Sequence, residues 1–311
     1  MAVRAGMGFG ELPFEDASTF WRWIELLETG GVDSFWQSDS VVGKRHHLEA
    51  MTTLAMIAGR TEKLKFGMNV ASAGVREPVL LAKQCATIDY LTGGGRLLPA
   101  FGIGSKRSPD WAGTGAPLPG RGARTNEALE IITRLWAGER FDYDGQHFQL
   151  KSACIGPVPA NKKLPMWVGG STRPAIMRTA RYASGWQGAV ETPAQIAPIV
   201  KAIQSEAEKL GRKVPADHFG IGIPFRFGSF EDDAAKREAG RFEAVTKRRA
   251  DTFLAVGDAQ TLLDRLRAYS DAGVTKFVLR PIAGNHDDYF EQTKLFISEV
   301  QPHLKDIPVP Y

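Results

Sequence analysis

Cysteine is scarce in this sequence, and long apolar runs are missing. Only Cys85 and Cys154 are present among the 311 residues, so the chain lacks the disulfide framework that holds small secreted domains together. No run of about 18 apolar residues occurs, which argues against a membrane-spanning helix. The first residues also lack the charged region and apolar core that mark a secretory signal. We therefore expect a cytoplasmic protein without membrane contact.

Motifs of several other protein classes are absent too. The sequence has no G-x-S-x-G elbow, no P-loop lysine motif and no G-x-G-x-x-G after its first strand, which disfavours esterase, kinase-like and Rossmann interpretations. Cationic and anionic side chains nearly balance (39 − 35 = +4), unlike the strongly basic surface of a nucleic-acid-binding protein. His46 and His47 are adjacent rather than spaced as i and i+4 ligands, so we expect no metal site.

The chain instead alternates apolar, strand-like runs with amphipathic helical segments. This alternation favours a parallel sheet, most simply a closed (β/α)8 TIM barrel with insertions; a doubly wound open sheet is the alternative. No linker is long enough to divide the chain, so residues 1–311 are expected to form a single domain. The eight strand-like runs are Val3–Phe9, Asp33–Asp39, Lys63–Ser72, Gly95–Ser105, Pro165–Gly170, Gly185–Val190, His218–Gly228 and Thr275–Pro281.

A barrel of this kind places its chemistry at the carboxyl ends of the strands. The fifth run ends in Gly169, Gly170, Ser171 and Thr172, immediately before a helical segment. Glycine lets backbone N–H groups approach a ligand closely, and a helix N-terminus adds unpaired donors with partial positive charge. The pattern indicates a phosphate-binding site, although a plain tight turn with a Ser/Thr cap would look the same.

Two other strand ends carry residues compatible with a flat ring. Gly102 and Gly104, at the end of the fourth run, leave space where a ring or its side chain could lie against the backbone. Barrel packing alone could also require these small residues. At the end of the third run, Asn69 can both donate and accept a hydrogen bond near a heterocycle.

Asp39 and His46 are the candidate acid–base groups. Asp39 lies where the second strand should open into the site, as an acid–base group, a hydrogen-bond partner of a cofactor or a helix cap. His46 follows in the next loop and could reach a substrate, since histidine titrates near neutral pH. The sequence leaves these alternatives open.

Longer segments of the chain resemble the bacterial luciferase-like flavin monooxygenase superfamily, which includes deazaflavin-dependent oxidoreductases. The resemblance lies in "GGVDSFWQSDSV", "REPVLLAKQCATIDYLTGGGRLLPAFGIG", "PMWVGGST" and "VGDAQTLLDRLRAYSDAGVTKFVL", in that order. It implies a (β/α)8 barrel with insertions that forms a homodimer or a higher oligomer. The run Gln37–Ser40 lacks the histidine that many members have there, so the acid–base residue remains open.

The resemblance also implies a cofactor, either FMN or the deazaflavin coenzyme F420. By resemblance, Asp39, Asn69, Ala71 and Ser72 would touch the ring, and some members have a non-prolyl cis peptide at the position of Ala71-Ser72. The other residues implied to bind the cofactor are Gly102, Ile103, Gly104 and Ser105 at the ring or ribityl chain, and Gly169, Gly170, Ser171 and Thr172 at the phosphate.

The implied function is that of a flavin-dependent oxidoreductase acting on a small organic substrate. With FMN, the protein would use dioxygen and take reduced flavin from a separate flavin reductase; with F420, it would transfer hydride. A non-catalytic flavin-binding protein is one alternative. An unrelated barrel lyase or metal-dependent hydrolase is another, but no lysine lies at a strand end for a Schiff base.

Overall fold

The computed structural model describes residues 2–309, so the extreme ends of the predicted domain lie outside the described residues. Its strands are β1 (Arg4–Phe9), β2 (Ser34–Gln37), β3 (Lys65–Met68), β4 (Ala71–Ser72), β5 (Leu97–Leu98), β6 (Ala100–Gly102), β7 (Phe141–Asp144), β8 (Gln149–Ala153), β9 (Trp167–Gly169), β10 (Gly185–Gly188), β11 (Phe219–Phe227), β12 (Ala255–Gly257) and β13 (Lys276–Pro281). Its α-helices are α1 (Ala17–Thr29), α2 (Ala50–Arg60), α3 (Pro78–Leu91), α4 (Asp110–Thr114), α5 (Arg121–Trp136), α6 (Arg173–Tyr182), α7 (Pro193–Lys209), α8 (Asp233–Thr246), α9 (Ala259–Asp271) and α10 (His286–Leu295).

The main sheet is parallel and closes into a barrel. Its strands follow the order β4-β6-β9-β10-β11-β13-β1-β2-β3-β5. β3 and β4 together form one position of the barrel, and β5 and β6, on either side of Pro99, together form the next. β3 pairs with β5, and β4 pairs with β6. The two ends of the strand order therefore meet, and eight positions result. The predicted (β/α)8 barrel is confirmed, and each of the eight predicted runs supplies one position.

Local signals in the sequence place the helices around the barrel. Asp16 caps α1 by accepting a hydrogen bond from the Thr19 backbone N–H at 2.8 Å, and Asp258 caps α9 through Thr261 at the same distance. Such caps satisfy N–H groups that have no partner within the helix. The apolar stripe of α9, which includes Leu266 and Tyr269, is buried. Across residues 2–309, no helix is both long and apolar enough to cross a membrane.

Two indole rings fill the barrel interior. Trp36 and Trp167 lie edge to face, with their ring centroids 6.2 Å apart. Neighbouring strands leave room for them: a Cβ atom at Gly67 would lie 2.9 Å from the Trp36 ring, and one at Gly185 would lie 2.5 Å from the Trp167 ring. The two indoles thus pack the barrel interior together with Leu98, Ala100 and Val278.

Two insertions interrupt the alternation of barrel strands and helices. The Gly/Pro-rich stretch 139–164 contains the antiparallel hairpin β7–β8. The loop after β6 contains the short helix α4, which lies on the side of the barrel where the strands end.

Candidate active site

A cavity of about 620 Å³ opens at the carboxyl ends of the barrel strands. Its volume falls within the range of roughly 300–1,000 Å³ that is typical of small-molecule sites. Most of the residues predicted from the sequence line it. They are Asp39, Asn69, Ser72, Gly102, Ile103, Gly104, Ser105, Gly169 and Gly170. The structure therefore brings strand ends that are far apart in the chain into one site.

Val70 projects into this cavity between two glycines of the wall. A Cβ atom at Gly102 would lie 2.8 Å from a Val70 methyl carbon, and one at Gly169 would lie 3.2 Å from both Val70 methyl carbons. The wall is therefore shaped around the Val70 side chain, and the glycines keep the adjoining space open. The sequence analysis missed Val70, which stands inside a strand-like run like any other apolar residue.

Ala71, which the resemblance places at the ring, is not among the residues that line the cavity in the part of the chain that the structure describes. Its side chain packs in the outer core, whereas both Asn69 and Val70 line the cavity. Side chains of a regular strand alternate between faces, and this alternation is broken between Asn69 and Val70. The cis peptide bond also joins Asn69 to Val70, not Ala71 to Ser72. The residue on the cavity side is therefore Val70.

Asp39 is held in an ion pair at the edge of the cavity. The Arg76 guanidinium donates to both of its carboxylate oxygens, at 2.6 and 2.8 Å, and also to Glu49 at 3.0 Å. The Asp39 side chain is only 2% exposed. Burial opposes the charge on Arg76, but the two carboxylates more than offset it and raise the pKa of the guanidinium. This arrangement suits an anchor better than a proton-transfer group.

Asp110 is a second carboxylate at the cavity, which the sequence analysis missed. It is only 4% exposed, and its Oδ1 atom accepts hydrogen bonds from the Val41 and Val42 backbone N–H groups at 2.9 and 2.7 Å. The Ser40 hydroxyl also donates to it. Asp110 thus fastens the loop after β2 to α4. Its loop position gave no periodic signal from which this contact could have been found.

His46 is exposed and, within residues 2–309, is not among the residues that line the cavity. Its carbonyl oxygen accepts a hydrogen bond from the Leu12 backbone N–H at 2.7 Å, which ties this loop to the segment after β1. The structure therefore gives no support to the predicted acid–base role of His46.

The predicted phosphate-binding segment lies at the end of one wall of the cavity, where Gly169 and Gly170 line it. Gly170 has a φ of +109°, a conformation that glycine adopts without strain, and Thr172 is the N-cap of α6. Ser171 and Thr172 are not themselves lining residues. The Ser171 hydroxyl donates to the carboxylate of Glu191, a residue that the sequence analysis did not single out.

A second cavity of about 340 Å³ adjoins the first and shares Phe9, Gly10 and Arg280 with it. Arg280 pairs with Glu238 of α8. Arg237 and Arg241 of the same helix also line this second cavity. In the part of the chain that the structure describes, no group of three or more His, Cys, Asp or Glu side chains is placed to hold a metal ion.

Comparison with known proteins decides the family. A family model described as luciferase-like monooxygenase matches residues 3–234. The chain belongs to this family. The resemblance inferred from the sequence is thereby confirmed, and the barrel with its open carboxyl end is the fold expected of a family member.

Similar proteins include both F420- and FMN-binding enzymes. An F420-dependent glucose-6-phosphate dehydrogenase of Microbacterium testaceum is 32% identical over 167 residues, which are 52% of this chain and 49% of that protein. The chain covers only 63% of the length of its first curated relatives.

Two solved structures share the fold over almost the whole chain. An F420-dependent secondary alcohol dehydrogenase, in complex with an F420-acetone adduct, has a TM-score of 0.84 at 17% identity, covering 98% of this chain and 100% of that one. The oxygenating constituent of 3,6-diketocamphane monooxygenase from Pseudomonas putida, in complex with FMN, has a TM-score of 0.79 at 17% identity, covering 100% of both.

Proposed function

We propose that this protein is an oxidoreductase that binds a flavin-type cofactor, FMN or F420, in the cavity at the carboxyl end of the barrel. The observation that carries this proposal is the shape of the wall. Five glycines of the barrel strands, Gly8, Gly102, Gly169, Gly188 and Gly222, line the cavity together with Val70. A wall of backbone around one apolar side chain suits the face of a flat ring.

The polar groups of the cavity fit the remaining parts of such a cofactor. The Asn69 amide reaches toward Gly222, where a Cβ atom would lie 3.4 Å from Asn69 Nδ2, and it can donate or accept at the ring edge. The backbone N–H groups of Ser171, Thr172 and Arg173 can donate to a phosphate at the N-terminus of α6, where the helix also supplies partial positive charge. Ser171 and Thr172 lie at that same end, in keeping with their predicted role.

The cofactor would supply the electron chemistry, as a hydride from F420 or as electrons for dioxygen reduction from FMN. The protein would bind the cofactor, orient it and exclude water. Asp39 anchors the rim through Arg76, and Asp110 holds the loop after β2. If the cofactor is FMN, a separate flavin reductase would deliver it in reduced form.

The small organic substrate is proposed to enter from the second cavity. This cavity adjoins the main one at Gly10, which follows β1, and at Arg280 of β13. In the closed strand order, these strands lie across the barrel from β9, which leads into the phosphate-binding segment. A substrate placed there would meet the cofactor ring without displacing the phosphate.

Homo-oligomer formation is proposed to use the outer faces of α2 and α3. Met56, Leu80 and Leu91 on these helices are 56%, 58% and 75% exposed. An apolar groove lies between the two helices. Exposed apolar surface of this kind commonly marks a protein interface.

The proposal is tested by titrating purified apoprotein with FMN and with F420 and following fluorescence or heat. We expect saturable binding of at least one of them, and substrate turnover with the cofactor that binds. Failure of both to bind would overturn the proposal. Binding without turnover under any electron donor would support a non-catalytic flavin-binding protein instead.

A further inference from the structure

Gln187 of β10 carries a buried side-chain amide that has no partner in the protein. The residue is only 2% exposed, and it is one of those that line the main cavity. Within residues 2–309, neither Oε1 nor Nε2 of this amide has a hydrogen-bond partner. A buried donor or acceptor without a partner carries a free-energy penalty, and native proteins keep few of them. A ligand that pairs with the Gln187 amide would remove this penalty.

Glycines on both neighbouring strands make room for the Gln187 side chain. Gln187 pairs with Gly169 of β9 on one side and with Gly220 of β11 on the other. A Cβ atom at Gly220 would lie 2.4 Å from Gln187 Oε1. The amide therefore lies against the inner face of β11, inside the barrel.

The amide of Asn69 lies along the same face of β11. A Cβ atom at Gly222 would lie 3.4 Å from Asn69 Nδ2. Gly222 is two residues closer than Gly220 to the carboxyl end of the strand, a step of roughly 6.5 Å. The edge of a flat ligand that enters along this face would meet Asn69 first and Gln187 at its inner end.

The surroundings of the Gln187 amide are otherwise apolar. Trp36 and Val278 also line the cavity, and both belong with Trp167 to the apolar cluster inside the barrel. A polar group in such a setting discriminates strongly between ligand edges, because an edge that cannot pair leaves the amide unsatisfied. The inner end of the cavity thus favours a ligand edge that both donates and accepts.

The two candidate cofactors share one edge with this chemistry. The pyrimidine end of each ring system has an imide N–H between two carbonyl groups, whereas the opposite end is a benzene ring. A primary amide offers one acceptor and two donors side by side. Gln187 Oε1 could accept from the imide N–H while Nε2 donates to a neighbouring carbonyl oxygen.

We propose that Gln187 binds the imide edge of the cofactor and so directs the pyrimidine end of the ring toward the inside of the barrel. The inference rests on the proposed function, because it concerns the orientation of a ring in the same cavity. It makes Gln187 a residue that stabilises the complex at the expense of the free protein.

The first test is the stability of the apoprotein with Gln187→Met, which keeps the length of the side chain and removes both polar atoms. We expect Q187M to melt at the wild-type temperature or a few degrees above it, since it loses only unpaired groups. Gln292→Met is the matched control. Gln292 is also buried, but its amide donates to the Phe227 carbonyl at 3.2 Å and accepts from the Phe227 N–H at 2.7 Å. Q292M should therefore melt several degrees below the wild type.

The second test is cofactor affinity. FMN and F420 are each compared with a form methylated at the imide nitrogen, which can no longer donate there. For the cofactor that binds, we expect methylation to raise the Kd of the wild type about tenfold, and Q187M to raise the Kd of the unmethylated form by a similar factor. In Q187M, methylation should change the Kd little, because the flexible thioether can accommodate the methyl group.

A Q187M protein that melts below the wild type or fails to fold would overturn the inference, since its amide would then stabilise the apoprotein. An unchanged Kd in Q187M, or an undiminished effect of methylation, would overturn it too. Each of these results, with the unmethylated cofactor still bound by the wild type, would leave the proposed function intact. Absence of binding of both FMN and F420 to the wild type would contradict the proposed function itself.

Discussion

Asp39 and Arg76 form a bidentate ion pair at the cavity edge, with both guanidinium–carboxylate distances below 3 Å, at 2.6 and 2.8 Å. The pair joins the end of β2 to the segment before α3. Glu49, the N-cap residue of α2, meets the same guanidinium. One arginine therefore holds two parts of the rim together.

Replacing Arg76 by Gln should be strongly destabilising, because it leaves the buried Asp39 carboxylate without its partner. We expect the free energy of unfolding, measured by urea denaturation, to fall by about 3–5 kcal/mol. The double variant Asp39→Asn with Arg76→Gln should lose less than the sum of the single losses. Strictly additive losses would show that the ion pair is not coupled as the structure indicates.

Replacing Gly102 by Ala should weaken cofactor binding about tenfold, which corresponds to roughly 1.4 kcal/mol. The new Cβ atom would lie 2.8 Å from a Val70 methyl carbon and force that side chain into the cavity. Adding Val70→Ala should restore most of the affinity. Gly59→Ala is the control, because a Cβ atom there meets nothing within 4 Å. Equal binding by wild type and G102A would contradict the assigned wall.

Asp110→Ala should loosen the loop after β2, whereas Asp110→Asn should not. The asparagine carbonyl can still accept hydrogen bonds from the Val41 and Val42 backbone N–H groups, but alanine cannot. Trypsin cleavage at the exposed Lys44 and Arg45 measures the difference. We expect several-fold faster cleavage in D110A and wild-type cleavage in D110N. Similar trypsin cleavage rates for D110A and D110N would show that Asp110 does not hold this loop through its hydrogen bonds.

Replacing Met56 by Glu should dissociate the oligomer, because it places a charge on the apolar faces of α2 and α3. Analytical ultracentrifugation should show a dimer for the wild type and a monomer for M56E. Val245→Glu is the matched control: Val245 is 84% exposed on α8, away from that surface, and its variant should remain dimeric. A monomeric wild type would refute the proposed interface.

The fold was largely predictable because its signals are local. Each barrel strand is an apolar run, and caps such as Asp258 mark helix starts within a few residues. The location of the site followed from the order of strands and helices along the chain, since the parallel strands of a barrel all end at one side. Gly102 and Gly169 could therefore be placed together without knowing any distance.

The remaining site residues depend on long-range or irregular geometry. Asn69 and Val70 are neighbours in the chain and both line the cavity, which the alternation of side chains along a regular strand does not predict. Arg76, Asp110 and Glu191 act through partners 20 to 69 positions away in the chain. Nothing in their own neighbourhoods distinguishes them from ordinary charged residues of loops and helix starts.

The most direct test of the central claim is a crystal structure of the protein grown with F420. The account predicts the deazaflavin ring in the barrel cavity, against Val70 and beside Gly102, with its phosphate at Gly170 and the start of α6. A cavity without the ring, or a ring bound at another surface such as the groove between α2 and α3, would contradict it.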